Sequence, residues 1–194
     1  MREIIIIQHC QSEHHVNNMS GGWTDTPLTD LGRKQAERIG VRLEKMINRD
    51  EFTIYASDLL RAKQTAEIIG RKLELAVHEE DQLREINTGE AAGKTKEWAR
   101  QNRNPRTSDG FDIDYQQFPG GETYREFYNR VCNCMTRLYN SEEKNLLIST
   151  HGGTVGFITA WWMGFKPEML SSSCFIASVG SLSILQANGY QQHV

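Results

Sequence analysis

The sequence predicts a three-layer α/β/α domain in which helices cover both faces of a mostly parallel β-sheet. Two aliphatic runs carry this prediction, at residues 4–7 and 146–148. Each run is short, unbroken and rich in aliphatic side chains, which is typical of a strand that is buried on both faces. Strand and helix patterns also alternate along the chain, as they do in α/β proteins. The pattern leaves room for one antiparallel strand at an edge of the sheet.

Length and composition indicate a single domain over residues 1–194. A chain of 194 residues can bury one sizeable core and hardly two. The net charge of −3 gives no electrostatic reason to expect nucleic acid binding. No apolar stretch approaches the ~20 residues that span a bilayer. The chain begins with a strand instead of a signal peptide, and its cysteines lack disulfide spacing, so we expect a cytoplasmic protein. The sequence leaves a homodimer open.

Local signals then predict the elements in order. Thr29 is a good helix N-cap, and apolar residues recur behind it at helical spacing. Ser57 and Asp58 are the expected caps of a second helix, and Asn188-Gly189 is a strong turn signal. We expect strands at 3–8, 52–55, 75–77, 146–149, 173–179 and 181–186, and helices at 30–47, 60–69, 122–139 and 154–163.

The segment 94–121 is the least regular part of the chain and is rich in arginine and aromatic residues. Long connections inside a compact domain usually serve function or move. We therefore interpret this segment as a lid or a substrate-selecting insertion. Arg103 and Arg106 are candidates for binding an anionic tail of the substrate, although arginines in such a segment are more often solvated.

Two histidines stand directly after strand-like runs. His9 follows the first run, and His151 follows the run at 146–148. Ligands of open α/β sheets bind beyond the carboxyl ends of the strands. Two imidazoles delivered there from distant parts of the sequence could meet over one substrate, an arrangement that favours chemistry over packing.

Six short blocks around these histidines occur in the order of a known family. They are Gln8-His9-Cys10-Gln11-Ser12, the run from Gly22 to Thr29, Ser57 to Thr65, Leu83-Arg84-Glu85, Gly121-Glu122-Thr123 and Thr150-His151-Gly152-Gly153. On these blocks the chain resembles the histidine phosphatase superfamily, also called phosphoglycerate mutase-like. One block alone would be weak, but six in sequence cover nearly the whole chain and are a strong signal.

The resemblance implies a phosphoglycerate mutase-like fold and a mechanism that needs no metal and no organic cofactor. His9 is then the nucleophile that takes the phosphoryl group as phosphohistidine. Arg61 and His151 bind the phosphate oxygens, and an Arg fork suits that geometry. Glu85 protonates the leaving oxygen and then activates water. These roles agree with the chemistry of imidazole nucleophiles and of fixed cationic donors in phosphoryl transfer.

Weaker contributions are expected from neutral groups. The Ser12 hydroxyl and the backbone N–H groups near Gly152, at a helix N-terminus, can donate to a phosphate. Substrate specificity is expected in the segment 94–121 and near Trp23.

Three residues depart from the family pattern. Gln8 stands where the family has arginine. It keeps an N–H₂ donor and is expected to be a weaker phosphate-binding residue, but it loses a full charge and the two-pronged geometry. Loss of one such donor typically costs about 10²- to 10³-fold in rate, so a comparable loss is expected here. Cys10 replaces a glycine, which would put a side chain where backbone could otherwise approach the phosphate. His15 stands where the family often has asparagine, and a protonated His15 or His14 would restore some positive charge.

The leading hypothesis is a phosphomonoesterase acting on a small phosphorylated metabolite. A phosphoglycerate mutase-type phosphoryl transfer is the nearest alternative, although mutases of this family tend to be longer. A second alternative is a catalytically weakened protein that binds a phosphorylated ligand, because of Gln8. A third is a metal site built from the ligand-rich loop His9, Cys10, Glu13, His14 and His15, which lacks the usual spacing of zinc ligands.

Overall fold

The computed structural model describes residues 2–106, 109–187 and 192–193, and strands and helices alternate along it as expected. The strands are β1 (Glu3–Gln8), β2 (Phe52–Ala56), β3 (Val77–Glu79), β4 (Asn145–Thr150), β5 (Leu182–Ala187) and β6 (Gln192–His193). The helices are α1 (Glu13–Val16), α2 (Asp30–Met46), α3 (Leu60–Leu73), α4 (Lys96–Gln101), α5 (Tyr124–Tyr139) and α6 (Gly152–Trp162). Short 3-10 helices lie at Arg49–Glu51, Asp81–Leu83, Gly89–Ala91 and Pro167–Ser171.

The six strands form one sheet in the order β3-β2-β4-β1-β5-β6. The four strands from β3 to β1 are parallel, and β5 runs antiparallel to β1. The predicted mostly parallel sheet is therefore confirmed. The antiparallel strand lies one position inside the edge, because β6 pairs with its outer side.

Helices cover both faces of this sheet, so the three-layer prediction is confirmed. The aliphatic run of β1 is buried throughout, and its side chains alternate between the two faces. Ile4 and Ile6 pack with residues of α5 and α6. Ile5 and Ile7 pack with residues of α2 and α3 on the opposite face. No helix among the described residues is both long and apolar enough to cross a membrane.

The start of α3 differs from the prediction. Its N-cap is Leu59, and neither Ser57 nor Asp58 caps it through a side chain. The cap is tertiary, since Oδ1 of Asp25 accepts a hydrogen bond of 2.7 Å from the backbone N–H of Leu60. Asp58 is instead paired with Arg84.

The strand predicted at 173–179 is wrong, because that segment has no regular structure. It runs over α6 so closely that a Cβ on Gly156 would lie 2.6 Å from the carbonyl oxygen of Phe175. The third strand begins at Val77, two residues later than predicted. The predicted Asn188-Gly189 turn lies outside the described residues.

Candidate active site

The two strand-end histidines meet because β1 and β4 are neighbours in register. Gln8 pairs with Thr150 across the two strands, so His9 and His151 leave the sheet side by side. The backbone N–H of His9 donates to the carbonyl of Thr150 at 2.8 Å. The ring centroids of the two histidines are 5.2 Å apart, and both side chains are buried. The predicted meeting of the two imidazoles is therefore present in the fold.

Hydrogen bonds fix the tautomer of His9. Its Nδ1 lies 2.8 Å from the carbonyl oxygen of Cys10, which can only accept, so Nδ1 carries the proton. Its Nε2 therefore has the lone pair and accepts from Nε of Arg61 at 3.2 Å. Burial, followed by the charge of Arg61, holds the pKa of His9 well below its usual range. His9 is thus a neutral imidazole whose lone pair faces a guanidinium.

Arg61 is fixed almost completely by backbone carbonyls. Its side chain is 1% exposed on the buried face of α3. The two terminal nitrogens donate to the carbonyl oxygens of Thr24 and Gly22, each at 2.7 Å. Burial lowers the pKa of Arg61 to about 10, while the charges of Glu85 and Asp25 act in the opposite direction. The guanidinium therefore stays charged at neutral pH and cannot swing away from His9.

His151 presents a ring nitrogen that has no partner. Its Nε2 lies 2.8 Å from the hydroxyl of Ser57, whereas its Nδ1 is buried without any hydrogen bond. Burial, followed by the charge of Arg61, holds the pKa of His151 well below its usual range. An unpaired buried donor or acceptor is costly, so this nitrogen is a candidate ligand contact.

The carboxylate of Glu85 lies against the first turn of α6. Its Oε2 accepts from the backbone N–H of Gly153 at 2.9 Å, and its Oε1 accepts from that of Ile86 at 3.0 Å. A Cβ on Gly153 would lie 2.4 Å from Oε1, so this close approach requires glycine. Burial raises the pKa of Glu85 above its usual range, while these N–H donors and Arg61 act against the shift. The carboxyl group can therefore hold a proton at higher pH than a surface glutamate.

The acid-bearing segment, residues 82–87, is held by an ion pair that the sequence analysis missed. Arg130 on α5 forms a two-pronged pair with Glu122, at 2.7 and 2.8 Å. The same guanidinium donates to the backbone carbonyls of three residues in the segment, which are Gln82, Arg84 and Glu85. No local pattern could reveal this role, because the partners are more than 40 positions from Arg130 in sequence.

Gln8, which stands in place of the family's arginine, lies at the start of α6. Its side chain is buried, and its Oε1 has no hydrogen-bond partner. A Cβ on Gly152 would lie 3.3 Å from that oxygen, so the amide packs directly against the start of α6. The helix has no side-chain cap at His151 and no acidic residue in its first turn. Its first N–H groups are thus a place where an anion can be stabilised.

His14 and His15 lie at the site, and neither is exposed to solvent as a loop residue would be. His14 is buried and His15 is half-buried, and the ring of His15 stacks on His9 at 5.4 Å between centroids. The hydroxyl of buried Ser12 lies 2.8 Å from Nδ1 of His14, and its backbone N–H donates to Nδ1 of His15 at 3.1 Å. Ser12 therefore organises both rings.

Both imidazoles are neutral, so the expected restoration of positive charge is not supported. Burial, with the charge of Arg61, lowers the pKa of His14 to about 3. The same two causes lower the pKa of His15, helped by Lys96. Since Nδ1 of His15 accepts a hydrogen bond, its proton lies on Nε2. His15 can therefore act as a neutral N–H donor.

Ring nitrogens of His9, His14 and His15 all lie within 4.8 Å of one another, which makes them the candidate metal ligands. A metal ion needs a free lone pair from each ring. The lone pair of His9 faces the positive charge of Arg61, and that of His15 accepts from the N–H of Ser12. The guanidinium beside them would also repel a cation. These residues therefore fit a resident metal ion poorly.

Cys10 does not point toward the phosphate region, contrary to the expectation from its place in the motif. Its side chain is fully buried and belongs to a hydrophobic cluster with Leu28 and with residues of α2 and α3, Ala36 among them. Burial raises the pKa of its thiol to about 11, so it is not a reactive thiolate.

The candidate substrate residues are placed less centrally. The indole of Trp23 donates to the carbonyl of Glu85 at 2.8 Å and lies 4.7 Å from the guanidinium of Arg84. Arg106 is exposed, stacks over Tyr115 and lines a small cavity of about 90 Å³. Arg103 is exposed and makes no hydrogen bond or ion pair with another described residue. The structure thus brings Trp23 to the site but neither arginine.

Comparison with known proteins places this arrangement in a family. Residues 4–194 match the sequence profile of the Histidine phosphatase superfamily (branch 1). Phosphoglycerate mutase-like protein 4 of Arabidopsis thaliana is 31% identical over 160 residues, which are 79% of this chain and 67% of the relative. Uncharacterized phosphatase PhoE of Bacillus subtilis (strain 168) is 27% identical over 187 residues, which are 96% of this chain and 90% of the relative. The solved structure of Mycobacterial hydrolase 1 superposes with a TM-score of 0.79 at 25% identity, over 95% of this chain and 90% of the other.

Proposed function

The chain belongs to the histidine phosphatase superfamily, and from that premise we propose that it is a metal-independent phosphomonoesterase acting on a small phosphorylated metabolite. One observation carries the proposal. The Cys10 carbonyl holds the proton of His9 on Nδ1, so the Nε2 lone pair faces the fixed guanidinium of Arg61. A neutral nucleophile beside a preorganised cation is what phosphoryl transfer requires. Relatives named as phosphatases support the same function.

In the first step, Nε2 of His9 attacks the phosphorus atom and forms a P–N bond. The P–O bond to the alcohol breaks at the same time, and Glu85 gives its proton to the departing oxygen. Before attack, a phosphoryl oxygen takes over the Arg61 N–H that now donates to His9. The unpaired Nδ1 of His151 supplies a second contact to the phosphoryl oxygens.

In the second step, the Glu85 carboxylate accepts a proton from water as the water oxygen attacks the phosphorus of the phosphohistidine. The P–N bond breaks, inorganic phosphate leaves, and Glu85 is protonated again. The pKa shifts support both roles, because burial favours a neutral His9 and a protonated Glu85.

Neutral donors complete the proposed phosphate site. The amide of Gln8 and the N–H groups at Gly152 would bind phosphoryl oxygens at the start of α6, and Nε2–H of His15 would add another donor. Ser12 would act mainly by holding His14 and His15 in place. Trp23 would position Glu85 through its carbonyl.

We also propose that the chain is a single domain in which the segment 94–121 selects substrates. Lys96, at the start of α4 in this segment, is close enough to lower the pKa of both His14 and His15. Phe118, with Ala91 and Ala99, forms a small core that anchors the segment. The other residues of the segment 94–121 are therefore attached to a packed core, from which they would contact a substrate.

The test is phosphate release from a panel of phosphomonoesters in the presence of a chelator. We expect turnover by the wild-type protein and a loss of at least about 10³-fold in His9→Ala. His78→Ala is the matched control, because His78 is an exposed histidine outside the site, and it should keep full activity. Turnover that needs added zinc, or that survives in His9→Ala, would contradict the proposal.

A phosphate-ligand-binding protein with weak turnover is the second candidate, and Gln8 is the observation that favours it. With neutral histidines around it, Arg61 is the one permanent cation that contacts His9 among the described residues. Binding of a phosphorylated ligand without release of phosphate would indicate this candidate. A mutase would instead move phosphate within one metabolite without releasing it.

A further inference from the structure

A large apolar cavity opens beside the proposed acid. It has a volume of about 560 Å³ and is lined by twelve residues, none of which is charged. Five of these residues are aromatic: Phe111, Tyr124, Phe127, Phe157 and Phe175. A volume of this size with a mostly apolar lining that includes aromatic residues is typical of a small-molecule site. We call it the aromatic cavity.

The aromatic cavity is joined to the proposed active site through Gly153. That residue lines the cavity, and its N–H donates to the carboxylate of Glu85. Phe127 lies at the same junction, since one of its ring carbons would be 3.2 Å from a Cβ on Gly153. A leaving group that takes a proton from Glu85 would therefore lie next to this junction.

We propose that the aromatic cavity binds the alcohol portion of the substrate, and that the substrate is a phosphomonoester of an uncharged aromatic or bulky apolar alcohol. This inference rests on the proposed function, because it takes Glu85 as the acid that faces the leaving group. It goes further by assigning the substrate class.

The uncharged, mostly apolar lining of the aromatic cavity favours apolar leaving groups over anionic ones. Each methylene moved from water into an apolar cavity favours binding by about fourfold. A leaving group with a carboxylate or a second phosphate would lose its hydration among residues that offer no cation. Phosphoglycerates and phosphoserine should therefore be poor substrates, although they are small.

The aromatic residues that line the cavity differ in burial, so one of them can be substituted without disturbing the core. Phe127 is buried in the core of α5 and α6, so its removal would disturb the fold. Phe111 is 47% exposed, and Tyr124 is the aromatic residue it contacts, at 5.4 Å between centroids. Phe111→Ala therefore removes one wall of the aromatic cavity without opening the core.

The experiment compares kcat/KM for substrate pairs that share leaving-group chemistry. Within the n-alkyl phosphates from methyl to butyl, we expect a rise of about fourfold per methylene. For 2-naphthyl over phenyl phosphate we expect a preference of about tenfold or more. 3-Phosphoglycerate and phosphoserine should fall below methyl phosphate. Phe111→Ala should reduce the naphthyl-to-phenyl ratio several-fold, whereas Ile176→Ala, at an apolar residue that is 90% exposed beside Phe175, should leave the ratio unchanged.

A fluorescence titration with 2-naphthol separates this inference from the proposed function, because it needs no turnover. Saturable binding that Phe111→Ala weakens supports the aromatic cavity even if no ester is hydrolysed. Hydrolysis of methyl, butyl and naphthyl phosphates at similar rates, or a preference for phosphoglycerate, would overturn the inference and leave the phosphatase standing. Failure of 2-naphthol to bind would overturn it as well.

Discussion

The two halves of the candidate site are built in different ways. The nucleophile half consists of His9, His151 and Arg61, which regular elements deliver: two paired strands and one helix. The acid half consists of Glu85 on an irregular segment that side chains from elsewhere hold in place. In the first half, backbone geometry sets the positions of the reacting groups. In the acid half, a few long side chains set the position of Glu85, so substitution of any one of them can displace it.

The largest effect is expected in the nucleophile half. Arg61→Lys keeps one positive charge but cannot donate to Thr24, Gly22 and His9 at once, as the guanidinium does. We expect kcat/KM to fall by about 10²- to 10³-fold. Arg71→Lys, at an exposed arginine of the same helix, should have no effect. Wild-type rates in Arg61→Lys would show that catalysis does not need the planar guanidinium of Arg61.

A smaller effect, selective for one class of substrate, is expected from Arg130, which holds the acid half in place. Arg130→Met leaves Glu122 without its cationic partner and removes the hydrogen bonds to the backbone of the acid-bearing segment. We expect alkyl phosphates to lose about tenfold to 10²-fold in kcat, because they need a positioned acid. Aryl phosphates with acidic phenols should lose much less.

Arg137→Met is the matched control, since Arg137 lies on the same helix and pairs with Glu80 at the surface. It should change neither class of substrate. An equal loss for alkyl and aryl esters in Arg130→Met would mean that Arg130 stabilises the fold in general and does not specifically position Glu85.

The pH dependence should separate the two halves as well. In the proposed mechanism, activity requires neutral His9, whose pKa is held low, and protonated Glu85, whose pKa is raised by burial. Activity should therefore be highest on the acidic side and fall as pH rises through the raised pKa of Glu85. Glu85→Gln should lower alkyl phosphate turnover and remove this alkaline fall. A profile that keeps the fall in Glu85→Gln would assign it to another group.

The smallest effect is expected where a distant carboxylate caps the helix that carries Arg61. Asp25→Asn weakens the charged acceptor at the N–H of Leu60. We expect a loss of up to about 1 kcal/mol in the free energy of unfolding, and a Tm lower by up to about 2–4 °C. Asp50→Asn, at an exposed residue of the short 3-10 helix Arg49–Glu51, should leave the Tm unchanged. Thermal unfolding of both variants decides the point.

The meeting of His9 and His151 could be predicted from the sequence because regular elements place both residues. The aliphatic runs predict β1 and β4, and their parallel pairing is enough to bring His9 and His151 together. The acid half could be placed only by resemblance, since the contacts of Arg130 with the backbone beside Glu85 span 45 to 48 positions. The orientation of Cys10 into the core and the neutral state of His15 depend on burial, which a motif does not encode.

The most direct test of the account is to trap the phosphoryl group on the protein. The wild-type protein is mixed with a phosphomonoester in chelator, quenched within milliseconds and digested, and the peptide that contains residue 9 is weighed by mass spectrometry. The account predicts an acid-labile phosphoryl group on His9, absent in His9→Ala and retained longer in Glu85→Gln. Phosphate release at the wild-type rate with no phosphoryl group on His9, or with one on another residue, would contradict it.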